Sequence, residues 1–309
     1  MSHRTYEFVQ LDVFTQTKLA GNQLAVFTDA RGLTDTEMQA LAREMNFSET
    51  TFILPREPEV ENREGKKVRI FTVSEELPFA GHPTLGTSLY LRTQQRARNS
   101  NGPDEVTLDL RVGKIPVHFT PKSEGAGRDR ADGQVFGEMR QRDPEFGMTF
   151  SREQISGAIG VGVDQLATDW PAQVVSTGLP FAIVPLRSLD ALTNTKFNIA
   201  QATELLKPTD ARFCYFIYPE RRDDALEVRA RMIFYGGEDP ATGSAAGCAA
   251  SWMVRYGVAK PEEPVAIRQG VEIHRPSELY VRASREGDRV TNVRVGGYAV
   301  EILRGSVTL

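Results

Sequence analysis

Three side chains in this chain have the types and settings that proton chemistry requires: Glu49, His82 and Asp239. Asp239 opens the stretch Asp239-Pro240-Ala241-Thr242-Gly243-Ser244-Ala245-Ala246-Gly247, which follows Gly236-Gly237-Glu238 and stays uncharged until Arg255. Pro suits the first turn of a helix, and an Asp just before it reads as the N-cap, with Thr242 and Ser244 as further hydroxyls. A helix that is small or apolar on all sides is buried on all sides. The pattern predicts a central helix whose N-terminus presents N–H groups and positive dipole beside an acid, an anion pocket with its own proton carrier.

His82 stands in a similar setting, Gly81-His82-Pro83-Thr84-Leu85-Gly86-Thr87, ahead of a second helix over residues 84–98. It reads as an N-terminal cap or, as a neutral imidazole, as a group that bonds or shuttles a proton. Glu49 begins the otherwise apolar Glu49-Thr50-Thr51-Phe52-Ile53-Leu54, either as a solvated strand end or as a buried carboxylate with a raised pKa suited to acid/base work. The N–H groups of Gly81, His82, Gly243 and Ser244 are candidates to clamp a carboxylate, and glycine there lets a ligand approach the backbone.

The two helix mouths match at an offset of 157 residues (239 − 82), Pro on Pro and Gly86 on Gly243, with Asp239 where the first has His82. The same offset lays residues 19–27 over 176–184, which suggests a duplicated unit with one titratable residue per mouth and a pseudo-twofold between copies. The intervening elements fit that order. Residues 6–14 and 23–27 read as strands, and Thr34 with Glu37 forms a capping box ahead of an amphipathic helix over 35–45. Strands at 49–54 and 67–73 lead to the first mouth. Residues 121–134 are charged, Gly-rich and aperiodic, a linker that divides the chain. Beyond it come helices at 151–159 and 199–206, strands near 174, 181–184, 213–218 and 227–234, the central helix, and four further strands. Two β-rich halves, each wrapped on one central helix, suit this order better than a doubly wound sheet.

Composition narrows the function classes. A chain of 309 residues with 40% hydrophobic and 25% charged residues is an ordinary globular protein of about two domains. The formal net charge of −4 disfavours nucleic acid or an anionic membrane as partner. No apolar run approaches a membrane span and no signal-peptide core follows Met1, so a cytoplasmic protein is expected. Cys214 and Cys248 sit in apolar runs as buried free thiols. His3, His82, His118 and His274 lack metal-ligand spacing, no nucleotide-binding glycine motif follows a strand, and Ser244 lacks a nucleophile elbow. Cofactor-independent proton transfer on a small carboxylate is what remains.

These residues carry a family signature. Gly21-Asn22 with Leu24-Ala25-Val26-Phe27, Ser48-Glu49-Thr50-Thr51-Phe52, Arg69-Ile70-Phe71-Thr72, Glu76-Leu77-Pro78-Phe79-Ala80-Gly81-His82-Pro83-Thr84, Ser176-Thr177-Gly178-Leu179-Pro180-Phe181, Glu238 to Gly247, and Gln269-Gly270 with Arg275-Pro276-Ser277 resemble the PhzF-like isomerases of phenazine biosynthesis, within the diaminopimelate-epimerase fold superfamily. The resemblance spans nearly the whole chain. It implies an α+β fold of two pseudo-symmetric epimerase-like domains, each a β-barrel-like sheet around a central helix, over 1–122 and 134–309, with the last strand able to return to the first domain. It also implies a site in the cleft between them, a homodimer, no cofactor and no metal. The family's catalytic acid/base falls on Glu49, its helix-mouth histidine and aspartate on His82 and Asp239, and its serine on Ser244. Gln23 and Val73-Ser74 depart from the family's usual prolines without touching these groups.

The first functional reading is therefore an isomerase in which Glu49 moves a proton along a cyclic or unsaturated carboxylate. Asp239 and His82 assist, while Gly81, Gly243 and Ser244 help hold the carboxylate. A two-base amino-acid racemase of the same fold is the alternative, disfavoured because such relatives carry a Cys at each mouth. A non-catalytic metabolite binder is the third reading; it needs the amides but not the acids.

Overall fold

The computed structural model describes residues 3–98, 104–120, 134–194, 196–223, 225–234 and 237–309. The chain is a mixed α/β structure with seven α-helices among the described residues. Two compact units are present: residues 1–139 with 296–309, and residues 140–295. Most of the expected linker at 121–134 lies outside the described residues.

In the first unit, Thr5–Val13 runs antiparallel to Asn22–Phe27 on one side and to the C-terminal strand Ala299–Thr308 on the other. The end of the chain thus completes the sheet that its beginning starts. Asn22–Phe27 then pairs in parallel with Glu49–Ile53, in a register that sets Leu24 opposite Glu49. That strand is antiparallel to Lys66–Phe71, whose other edge runs parallel to Glu105–Leu110. Gly113–Thr120 and Phe136–Arg140 extend the order. Parallel pairs need a crossover. Asp35–Met45 supplies one of them between Asn22–Phe27 and Glu49–Ile53, and its start is the capping box of Thr34 and Glu37 read from sequence. Its apolar face, Met38, Leu41 and Ala42, covers Phe27, Phe52 and Phe71. Phe27 and Phe52 stack with centroids 4.9 Å apart, and Phe52 meets Phe71 edge-on. Pro58–Glu64, a short helix with no buried residue, was not visible in the sequence pattern.

The second unit has its own sheet. Glu145–Phe150 pairs with Ala172–Ser176, then Pro180–Pro185 follows antiparallel and Phe213–Arg222 parallel. Ala225–Phe234 is antiparallel to that strand, Val265–Gln269 is parallel to Ala225–Phe234, and Ser277–Glu286 closes this series antiparallel. Helices Arg152–Ile159 and Ile199–Leu206 cover one region of it with Phe150, Val184 and Phe216.

Each unit contains one deeply buried helix. Gly81–Arg98 is buried along residues 81–89 and packs on Thr5–Val13, Asn22–Phe27 and Glu105–Leu110. Gly243–Arg255 is buried at nearly every position and packs on Ala172–Ser176, Pro180–Pro185 and Ser277–Glu286. Absence of charge in these runs is the sequence cause of that burial.

Both helices are entered in one way. A strand ends in a tight two-residue return, Lys66–Phe71 with Glu76–Leu77 and Ala225–Phe234 with Gly237–Glu238. An arginine on the strand grips a glutamate on the return through two hydrogen bonds. Arg69 Nε and Nη2 donate to Glu76 at 2.8 and 2.7 Å, and Arg231 Nε and Nη2 donate to Glu238 at 3.0 and 2.8 Å. Such forked pairs fix direction as well as distance.

These matched elements stand 162 residues apart (231 − 69, 238 − 76 and 243 − 81), not 157. The sequence match had laid Gly86 on Gly243, yet the two do different work. Gly243 begins a helix, whereas Gly86 lies inside one, where a Cβ would come within 2.7 Å of both Leu24 and Val13 side chains. His82 lies in the first turn of its helix, whereas Asp239 stands ahead of its helix, in the loop.

Candidate active site

In the first unit, Glu49 and His82 are brought together. The parallel register with Leu24 places Glu49 at the head of its strand, with its side chain 16% exposed. His82 lies in the first turn of Gly81–Arg98, which begins two residues ahead of Pro83 rather than at Thr84 as the sequence suggested. Its Nδ1 is 3.5 Å from Glu49 Oε2. Burial drives the imidazole pKa down to about 3, opposed only in part by a hydrogen bond to the Gln23 backbone carbonyl. The ring is therefore neutral and the Glu49 contact is not an ion pair.

A carbonyl only accepts, so the ring nitrogen bonded to Gln23 carries the proton. Nε2 is buried and has no hydrogen-bond partner among the described residues. Backbone donors at this mouth come from Gly81 and His82, because Pro83 has no N–H and that of Thr84 goes to the Ala80 carbonyl at 3.3 Å.

In the second unit the expectation for Asp239 needs correcting. Asp239 is not the N-cap of the central helix and Pro240 is not its first residue. The helix starts at Gly243, and Thr242, the cap position, makes no side-chain cap bond. The Thr242 hydroxyl donates to Asp239 Oδ2 at 2.6 Å instead. The reason lies 27 residues further on, at the inward-facing end of Val265–Gln269. Gln269, fully buried, accepts from the Thr242 N–H at 3.2 Å and donates Nε2–H to the Asp239 carbonyl at 2.7 Å. Those bonds hold residues 239–242 as a loop and keep them from joining the helix. Ser244 is half-buried in the helix's first turn, where the Gly243, Ser244 and Ala245 amides precede the first intrahelical bond, from Ala246 N–H to the Thr242 carbonyl at 2.9 Å.

Two further side chains define this mouth, and sequence reasoning gave neither a role. Tyr215 is buried and donates to Gln269 Oε1 at 2.9 Å; burial first, and then the Asp239 charge, push its phenol well above the usual range. Gln141 donates Nε2–H to the Gly243 carbonyl at 2.9 Å and accepts from the Thr177 hydroxyl at 2.6 Å. Gln269 was detectable: it occupies an inward position of the alternating Val265-Ala266-Ile267-Arg268-Gln269, where a polar residue must be a bonded hub. Tyr215 and Gln141 leave no such signal in their segments.

Both cysteines are buried, and burial raises the Cys214 thiol to about 12 and the Cys248 thiol to about 11. Among the described residues no group of three or more His, Cys, Asp or Glu side chains is placed to hold a metal ion. No helix among them is long and apolar enough to cross a membrane.

The chain is similar to known proteins in four respects. Residues 11–305 match the family model described as phenazine biosynthesis-like protein. The trans-2,3-dihydro-3-hydroxyanthranilate isomerase of Pseudomonas aeruginosa is 33% identical over 98% of this chain and 100% of its own. A crystal structure of a phenazine biosynthesis protein of the PhzF family from Bacillus anthracis superposes with TM-score 0.83 at 26% identity, covering 99% of this chain and 100% of that one. A hydroxyproline epimerase from Agrobacterium vitis shares the fold at TM-score 0.64 and 12% identity, covering 100% of this chain and 93% of that one.

Proposed function

The chain belongs to the phenazine biosynthesis-like protein family and is an isomerase, and from that premise we propose that it shifts a proton within a small cyclic or α,β-unsaturated carboxylate using side chains alone. The observation that carries this reading is the pairing of Glu49 with a buried His82 that burial keeps neutral. A half-buried carboxylate can take a proton from carbon and return it to another carbon on the same face, so that a double bond moves and nothing is consumed. The adjacent imidazole does not add a positive charge that would hold Glu49 as a weak base. Asp239 is read as an assisting proton carrier, and Ser244 and the Gly81, His82 and Gly243 amides as carboxylate-holding groups.

The shared Arg–Glu return ahead of each buried helix supports reading the two units as copies of one epimerase-like half, each with a sheet around its helix. Thiol-based racemisation is disfavoured by the protonated, buried state of Cys214 and Cys248. Trans-2,3-dihydro-3-hydroxyanthranilate, the substrate named for the Pseudomonas aeruginosa relative, is the first compound to try.

The test is proton NMR in D₂O with that compound, other small unsaturated carboxylates and common L-amino acids. Loss of a C–H signal with a changed ring or alkene pattern supports the proposal. Exchange at Cα with racemisation replaces it by the two-base reading, and absence of exchange throughout favours a metabolite binder.

A further inference from the structure

Gln269 makes four hydrogen bonds with no solvent exposure, and the function described so far uses none of them. Its amide orientation is set by two backbone groups that cannot change roles. The Thr242 N–H can only donate, so the atom facing it is Oε1, and the Asp239 carbonyl can only accept, so the atom facing it is Nε2. The second Nε2 hydrogen goes to Thr242 Oγ1 at 2.9 Å, and the Tyr215 hydroxyl fills the second acceptor site on Oε1.

Direction then passes along the chain. Thr242 Oγ1 receives a hydrogen from Gln269, so its single proton must turn elsewhere, and the acceptor it meets is Asp239 Oδ2 at 2.6 Å. A hydroxyl that donates to a carboxyl oxygen favours the charged form of that group. Accepting from Gln269 Nε2 occupies one of the two lone pairs of the hydroxyl, whose proton goes to Asp239. Gly270, next along, keeps the same loop close: a Cβ there would come within 2.7 Å of the Pro240 carbonyl oxygen.

We propose that Gln269 is a positioning residue for the reaction, which through Thr242 commits one oxygen of Asp239 to a fixed donor and so sets the orientation and the protonation state in which Asp239 meets the substrate. The proposal rests on the reading of Asp239 as a proton carrier.

The experiment follows the Asp239 carboxyl carbon by NMR through a pH titration of the full chain labelled with carboxyl-¹³C aspartate, the signal being assigned by its loss in Asp239→Asn. Thr242→Val keeps the side-chain shape and the backbone bond but removes the hydroxyl, and should raise the titration of Asp239 by about one pH unit or more, since donation to a carboxylate favours its charged form. Gln269→Met should do the same. Thr242→Ser, which keeps the hydroxyl, should return the wild-type curve. Turnover in Thr242→Val should fall about tenfold, with a smaller change in KM. Should Gln269→Met not fold, the Thr242 pair decides. An unmoved Asp239 titration in Thr242→Val, or an equal shift in Thr242→Ser, overturns the proposal. Wild-type turnover in Asp239→Asn would instead remove the reading of Asp239 as a proton carrier, and with it the catalytic part of this inference, while leaving the titration result standing.

Discussion

Glu49 Oε2 and His82 Nδ1 lie 3.5 Å apart without forming an ion pair, because burial keeps the imidazole neutral. The neighbour therefore leaves Glu49 basic instead of locking it as one half of a salt bridge. Glu49→Gln keeps the shape of the side chain and its capacity to bond. It should lower solvent exchange of the substrate C–H by at least about a hundredfold, the usual share of general acid/base catalysis, with substrate affinity changed little. Deuterium incorporation followed by NMR measures the first and a binding titration the second; retained exchange would remove Glu49 as the base.

His82 also makes stability depend on pH with a definite sign. Its ordinary pKa is 6.5 and its folded value is about 3. Between those values the unfolded chain binds a proton at this site and the folded chain does not, so the contribution of the neutral ring is complete above pH 6.5 and is lost as pH falls toward 3. Urea unfolding at several pH values should give a shallower acid loss in His82→Asn than in wild type, the difference developing within that window. Parallel curves would mean that the folded ring titrates normally.

The altered place of Asp239 changes what its removal should do. Losing an N-cap side chain would cost about 0.5–2 kcal/mol at the helix start; as the acceptor of the Thr242 hydroxyl Asp239 can be replaced by Asn, whose carbonyl oxygen still accepts. Asp239→Asn should therefore cost no more than about 1 kcal/mol of stability while slowing turnover by about a hundredfold or more. Thermal unfolding and the exchange assay on one preparation separate the two effects, and a fully active variant would reduce Asp239 to a structural role.

What could be read beforehand follows the range of the forces involved. Asp35–Met45 is legible because its capping box and its Met38, Leu41, Ala42 face lie within one short window. The buried helices are legible from their uncharged runs. The start of the second was misplaced because Pro240 imitates a first-turn proline, while the residue that overrules it, Gln269, lies on another strand. The offset of 157 holds for Gly21 and Gly178, both at positive φ in the turn ahead of a strand, but not at the helix mouths, where Gly86 serves packing inside a helix and Gly243 serves a helix end. Helix Leu189–Asn194 is too short to impose a period and went unread.

Two glycines of the second unit should respond differently to the same added methyl group. At Gly270 the backbone has φ +74°, and a Cβ would press on the carbonyl oxygens of Arg275 and Pro240 and within 3.0 Å of Pro240 Cα, none of which can turn aside. Gly270→Ala should cost roughly 2–4 kcal/mol, combining left-handed strain with overpacking, and should impair turnover because Pro240 follows Asp239 directly. At Gly247 the obstacle is the amide of Gln141, with Cδ at 2.6 Å. A side chain can move, but here it would abandon the Gly243 carbonyl and the Thr177 hydroxyl, so Gly247→Ala should cost about 1–3 kcal/mol. Truncating the obstacle relieves one and not the other. Urea unfolding of Gln141→Ala combined with each should show strong favourable coupling with Gly247→Ala and near-additivity with Gly270→Ala, and additivity in both pairs would mean that Gln141 is not what excludes a side chain at 247.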